Sequence, residues 1–257
     1  MINPIPLIEQ LTALALIVQS VEMLQLQRTM ADDGPWSWKI IRDDFQGFPS
    51  GLRWLLDHIL AFPGLALLLW MQILCALALL VTSHPMLNCF LLTSTVLICL
   101  RWRGTFNGGS DYMTVLILAA LTVARLSPHH PQILVGCLWY IALQLCASYF
   151  IAGVVKLRNI RWRDGSALPA IFELPQYSAP KLSQRLRGSP RMSFALCWGT
   201  MLFECAFPVA LLHPQASLAL MTIAFVFHLG NAFQLGLNRF LFIWPAAYPA
   251  LYFCSAL

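Results

Sequence analysis

Charge is scarce in this chain. Asp, Glu, Lys and Arg make up 11% of its 257 residues, where an ordinary soluble domain carries about 25%. Hydrophobic residues reach 59%, which excludes a water-soluble globule with a polar shell and suits several bilayer-spanning helices. The eight cysteines form no C-x-x-C pair, and each lies inside an apolar stretch. They read as small buried residues, not as disulfides or zinc ligands. No His-Glu-x-x-His, phosphate-binding glycine loop or serine nucleophile elbow occurs. His84, His129, His130 and His213 fall in short links, three of them directly before proline, with no metal-ligand spacing. No metal is expected. The first apolar stretch has no basic residue before it and is interrupted by Glu9 and Glu22, which is unlike a signal peptide.

Apolar runs fill most of the remaining sequence. They predict membrane helices at about Ile5–Leu26, His58–Val81 with a kink at Pro63, Met86–Leu100, Tyr112–Leu126, Ile133–Val155, Ser193–Leu212, Ala216–Leu235 and Phe240–Leu257. The expected fold class is all-α: a polytopic transmembrane bundle of about eight helices, with residues 1–257 in a single domain. The span 27–57 holds Asp32, Asp33, Asp43 and Asp44 beside Lys39 and Arg42, with Trp36, Trp38, Phe45 and Phe48 among them. That mixture predicts a segment lying on the headgroup region. A second polar span, 156–192, carries Arg158, Arg161, Arg163, Lys181, Arg185, Arg187 and Arg191.

With eight crossings the odd-numbered loops share one side of the membrane. Of the 16 Lys and Arg residues, all but Arg125 fall in those loops or at their helix ends. The excess of positive charge places both polar spans in the cytoplasm and both termini outside, in a multi-pass protein. The net charge of +5 is then topogenic and calls for no nucleic acid; the bilayer itself is the first partner.

Polar groups at membrane depth are costly and are candidates for function. Gln144, Ser148, Ala152 and Lys156 recur every four residues, with Tyr149 and Gly153 beside them. Glu204 sits near the middle of the sixth segment, one turn after Thr200, and the seventh carries His228, Asn231 and Gln234. Read alone, Lys156 is either an end-of-helix lysine snorkelling to the headgroups or a desolvated amine able to act as a base. Glu204 and His228 are either catalytic or a satisfied interhelical pair. Asp111, after Asn107-Gly-Gly-Ser110, reads as part of a turn and N-cap or as a binding residue.

Two motifs carry a resemblance. Tyr149-Phe-Ile-Ala-Gly-Val-Val-Lys-Leu157, followed by Trp162 and Gly165, is similar to the central motif of the vitamin K-dependent gamma-carboxylase family, whose membrane portion is called the HTTM domain. Phe227-His-Leu-Gly-Asn231 resembles a second element of it, and Phe106-Asn-Gly-Gly-Ser-Asp111 resembles the glycine-rich turn of bacterial stand-alone members. The likeness runs in order from about Arg101 to Tyr252. It implies a protein of a bacterial cytoplasmic membrane. In the carboxylases the motif lysine, here Lys156, deprotonates the vitamin K hydroquinone. Oxygen converts the quinol to an epoxide, and the strong base formed on the way prepares a glutamate for carboxylation.

The resemblance implies Lys156 as a catalytic base; with the polar groups at membrane depth, the expected catalytic residues are Lys156, Glu204 and His228, and the expected substrate- or cofactor-binding residues are Asp111, Tyr149, Asn231 and Gln144. It implies a reduced quinone of menaquinone or ubiquinone type as cofactor, and a lipid-soluble molecule as substrate. The chain departs from the carboxylases at Gly108-Gly109-Ser110, where they have an asparagine pair and an active-site histidine; Asp111 is expected to take over part of that role. A large C-terminal domain that engages a propeptide is not expected, so glutamate carboxylation is not the expected reaction. The competing expectation is a non-catalytic subunit that docks a soluble protein on its basic loop. A transporter ranks third, because no internal repeat is seen.

Overall fold

A computed structural model describes residues 3–102, 108–175, 177 and 179–257. The glycine-rich turn expected at 106–110 begins outside the described residues. Secondary structure among the described residues is helical throughout. The chain divides into two compact units, Ile5–Leu134 and a second centred on Val135–Leu257.

The N-terminal unit contains α1 (Ile5–Gln25), α2 (Gln27–Met30), α3 (Trp38–Ile41), α4 (Ser50–Leu60), α5 (Gly64–Val81), α6 (Pro85–Trp102) and α7 (Gly108–Leu126). α1 lies along α5, α5 on α6 and α6 on α7. Their interior holds small and branched side chains, Ala13, Leu16, Ala76, Leu79, Leu91 and Leu118. Their outward faces are apolar too, as Leu67, Leu74 and Val81 show on α5. Helices that are apolar all round suit lipid, where apolar contact alone does not choose a partner. Polar contacts then help to set register. Buried Gln72 of α5 donates to Ser20 Oγ on α1 at 3.2 Å and accepts from Ser94 Oγ on α6 at 2.8 Å. Glu9, fully buried in α1, accepts from Ser83, Asn88 and both Nε and Nη2 of Arg125. Arg125, the one cation out of step with the charge alternation, is therefore neutralised by the carboxylate that interrupts the first apolar stretch.

The span expected on the headgroup region packs onto α6 and α5 through Trp38, Phe45, Leu56, Leu60 and Trp102. Arg101 staples it there, donating from Nε to Leu60 O at 3.3 Å and from Nη2 to Trp36 O. The kink expected at Pro63 is a full break: α4 stops at Leu60 and α5 starts at Gly64. A proline has no N–H to continue the ladder, so residues 58–60 belong to the amphipathic α4 and not to a crossing helix.

The C-terminal unit contains most of α8 (Pro131–Arg158), then α9 (Ile160–Arg163), α10 (Ala167–Ile171), α11 (Pro180–Arg187), α12 (Pro190–Ala206), α13 (Pro214–Leu235) and α14 (Asn238–Ser255). A 3-10 turn, Phe207–Leu211, extends α12. Among the described residues, seven helices are long and apolar enough to cross a bilayer: α1, α5, α6, α7, α8, α12 with its extension, and α13. The expected eighth crossing forms the 18-residue α14, which stands outside that set. Arg239, Pro245, Pro249 and three rings with polar atoms, Trp244, Tyr248 and Tyr252, dilute its apolar character. It packs against α13 and the 3-10 turn, and its Ala246, Ala247 and Ala250 are fully buried. The chain is an all-α, polytopic membrane protein.

Candidate functional site

The last turn of α8 carries Lys156, and the last turn of α12, just before its 3-10 extension, carries Glu204. The helices are brought together at Gly153: a Cβ there would lie 2.7 Å from Cys205 Sγ and 3.0 Å from Glu204 Cβ. Only a glycine admits that approach. Three residues beyond this crossing, Lys156 Nζ donates to Glu204 Oε1 at 2.8 Å and to Oε2 at 2.7 Å. The remaining side of the ammonium faces the ring of Trp162, 5.3 Å from its centroid. The lysine side chain is 21% exposed and the glutamate 4%, so the pair sits at the edge of a low-dielectric space where charges hold each other tightly.

A second polar pair lies on the same interior. Tyr149 of α8 and His228 of α13 meet oxygen to Nε2 at 2.7 Å. Both are buried, and His228 Nδ1 has no hydrogen-bond partner. Rings surround the imidazole: Phe227 at 5.4 Å, Trp244 at 5.4 Å and Phe240 stacked at 6.0 Å between centroids. Tyr149 stacks on Phe207 at 4.0 Å. Such packing leaves each ring in one orientation.

The two pairs share one cavity of about 540 Å³, within the range of small-molecule sites. Its polar lining is Ser148, Tyr149, Lys156, Thr200, Glu204, His228 and Asn231, and its apolar lining includes Phe227, Phe240 and Trp244. Its roof comes from the basic span: Trp162, Leu168, Ile171, Phe172, Leu174 and Tyr177. That roof is tied to α12 at two points. Ser193 Oγ donates to Gly165 O at 2.6 Å, and Trp198 Nε1 donates to Arg163 O at 3.1 Å. Gly165 has φ +84°, and a Cβ there would lie 2.8 Å from Phe194 Cα, so the turn requires glycine. The roof is also closed on itself. Arg187 donates from Nε and Nη2 to Glu173 at 2.8 and 2.5 Å, and Ser183 donates to the same carboxylate at 2.9 Å. The Arg187 hydrogen bonds hold the Glu173 carboxyl below the usual carboxylate range, with Ser183 helping.

Five of the seven residues singled out from the sequence thus line one cavity: Lys156, Glu204, His228, Tyr149 and Asn231. Gln144 does not; it is exposed on α8, outside the lining. Steps of four residues drift about 40° around a helix of 3.6 residues per turn, so three steps back from Lys156 carry a side chain about 120° away. Asp111 belongs to the N-terminal unit, in the first turn of α7, where it accepts from Gln19 Nε2 at 3.1 Å. Its carboxylate also suits the positive end of the helix. Among the described residues no cluster of His, Cys, Asp and Glu is arranged to hold a metal ion.

The sequence does not assign to the site the roof aromatics Phe172 and Tyr177, nor Trp162, which it marks only as part of the motif. Their signal was present as apolar side chains spaced through a basic run, which a solvated loop does not need. A family profile described as the HTTM domain matches residues 114–255. No curated protein and no solved structure matches the chain.

Proposed function

Because this chain belongs to the HTTM domain family, whose profile takes in more than half of it, we propose that the C-terminal cavity binds a lipid-soluble quinol and runs a quinol-coupled modification. The observation that carries this reading is the Lys156–Glu204 pair on the wall of a ring-lined cavity. The cavity's size, its flat aromatic walls and its paired proton-holding groups fit a quinol ring of menaquinone or ubiquinone type. A quinol, when bound, supplies a phenolic proton and two reducing equivalents.

Lys156 starts as an ammonium and cannot accept a proton in that state. A shift of one proton along the 2.7 Å bond to Glu204 gives a neutral amine and a neutral acid, a step that partial desolvation makes less costly than it is in water. The amine is then the base. His228 and Tyr149 hold their mutual hydrogen bond and orient one side of the ligand, and Asn231 offers an amide to its oxygen. The roof covers one side of the cavity and limits the solvent that competes for these polar contacts.

The cell side follows from charge. We place the basic span 156–192 and the span 27–57 in the cytoplasm of a bacterial inner membrane, and both termini outside, with α14 as the eighth crossing. Native mass spectrometry of the purified protein, read for a bound quinone, tests the binding step. Lys156→Met assayed in membranes for quinol oxidation or quinone epoxide tests the chemistry. A cavity that retains no quinone, with a Lys156→Met variant as active as the parent, would sink the proposal.

One observation favours a second reading. Arg158, Arg161, Arg163, Lys181 and Arg185 are exposed on the outer side of the roof segment, a surface on which an acidic protein partner could dock. Replacing Arg158, Arg161 and Arg163 together by glutamine would then release a co-purifying protein, while Lys156→Met would not.

A further inference from the structure

A second site lies in the N-terminal unit, well before the residues that match the family profile. A cavity of about 330 Å³ opens there between the turn after α3 and the start of α4. Trp38, Phe45 and Leu56, all buried, form its floor; Arg42, Asp43, Gln46, Arg53 and Asp57 form its walls.

The charges on those walls are unequal in their commitments. Asp57 is fully engaged, accepting from Trp38 Nε1 and from Arg42 Nη2, each at 2.7 Å. Arg53 and Asp43 face the same cavity but make no ion pair with each other or with any other described residue. Beneath Trp38 lies Arg101, 1% exposed, its guanidinium carbon 6.0 Å from the Trp38 ring centroid. Its partners are backbone carbonyls and not a carboxylate. The floor is therefore electropositive, the Arg53 wall cationic and the Asp43 wall anionic.

The same segment shows where the cavity sits. Ile40 and Trp54 are 65% and 63% exposed, and Phe48, Leu52 and Leu55 are exposed beside them. α4 is thus an amphipathic helix with an uncovered apolar face next to crossing helices. Such a face rests at the boundary of headgroups and acyl chains. A polar cavity on that segment faces phospholipid headgroups.

We propose that this cavity is a binding site for a zwitterionic phospholipid headgroup of the phosphoethanolamine type. The phosphate is taken by Arg53 above the buried Arg101, the primary ammonium by Asp43, and Gln46 supplies a neutral hydrogen bond. A headgroup with a phosphate alone would leave Asp43 facing negative charge, so the site discriminates against anionic lipids such as phosphatidylglycerol.

The test uses the purified full-length chain in mixed micelles holding equal amounts of phosphatidylethanolamine and phosphatidylglycerol. Lipids retained are counted by native mass spectrometry. The parent should retain phosphatidylethanolamine over phosphatidylglycerol by about fivefold, the effect expected of one charge near a lipid surface. Arg53→Ala should lower retention of both lipids, and Asp43→Asn should abolish the preference between them. Both positions are exposed, so these variants should unfold at the parent's temperature. Arg28→Ala, a change of exposed charge outside the cavity, should leave the preference intact. Preferential retention of phosphatidylglycerol by the parent would overturn the assignment. So would undiminished retention of both lipids in Arg53→Ala, an unchanged preference in Asp43→Asn, or an equal loss in Arg28→Ala.

Discussion

At the scale of single residues, the cavity depends on an ion pair that cannot be halved. Lys156→Met leaves the Glu204 carboxylate at 4% exposure with no cation, and loss of one member of such a pair costs about 3 kcal/mol or more. The double change Lys156→Met, Glu204→Leu removes both charges and should recover most of that loss. Thermal unfolding in detergent measures it, and the idea fails if the double variant is as unstable as the sum of the two single changes. These residues were legible early because a charge at membrane depth needs a reason. Lys156, Glu204, His228 and Asn231 were chosen on that ground and all line the cavity. Gln144 is polar too and keeps the four-residue spacing, but the drift of the helix takes it away from the cavity.

At the scale of elements, the roof is the part with its own pH dependence. Glu173 is held below its ordinary value of 4.5 by Arg187, then by Ser183. A carboxyl whose folded pKa is depressed contributes stability that is present above the unfolded value and lost as pH falls through the folded one. Protection against hydrogen exchange, taken relative to the intrinsic chemical rate, should therefore be high and steady in peptides covering residues 167–187 from about pH 8 down to about pH 5, and fall on further acidification. Glu173→Gln should exchange quickly across that whole range. A parent whose exchange in this segment follows only the intrinsic chemical rate at every pH would contradict it. Sequence reading saw this span as topogenic charge. It could not see the roof, because the alternation of basic and apolar side chains over three short helices has no single period to detect. The crossing helices were easier, since each is long and nearly continuous. Their ends were not: Pro63 breaks a helix where a kink was expected.

At the scale of the molecule, α8 is the measuring rod. Its 28 residues rise about 42 Å at 1.5 Å each, longer than the roughly 30 Å of hydrocarbon. Its two ends therefore emerge on opposite faces. A cysteine at Ser127, just before α8, and one at Arg185, in α11, should react with an impermeant maleimide from opposite sides; on the proposed orientation Arg185→Cys reacts only once the cytoplasmic face is opened. The eight native cysteines give little background, being confined to apolar helices. Labelling of both positions in intact cells would refute the assigned orientation. The division into two compact units was not legible, because apolar helices that face lipid and apolar helices that face each other have the same composition.

The Glu9–Arg125 pair has a consequence for insertion in an energised membrane. A lone arginine on the far side of the bilayer would have to be carried across the electrical potential, at about 2.3 kcal/mol per charge for each 100 mV. Arg125 is bonded through two nitrogens to a carboxylate on another helix, so the two sit at one depth and feel nearly the same voltage. As a pair they are electrically silent. The exception to the charge alternation then costs almost nothing in a membrane potential of either sign, and α1 and α7 have a reason to enter the membrane as partners.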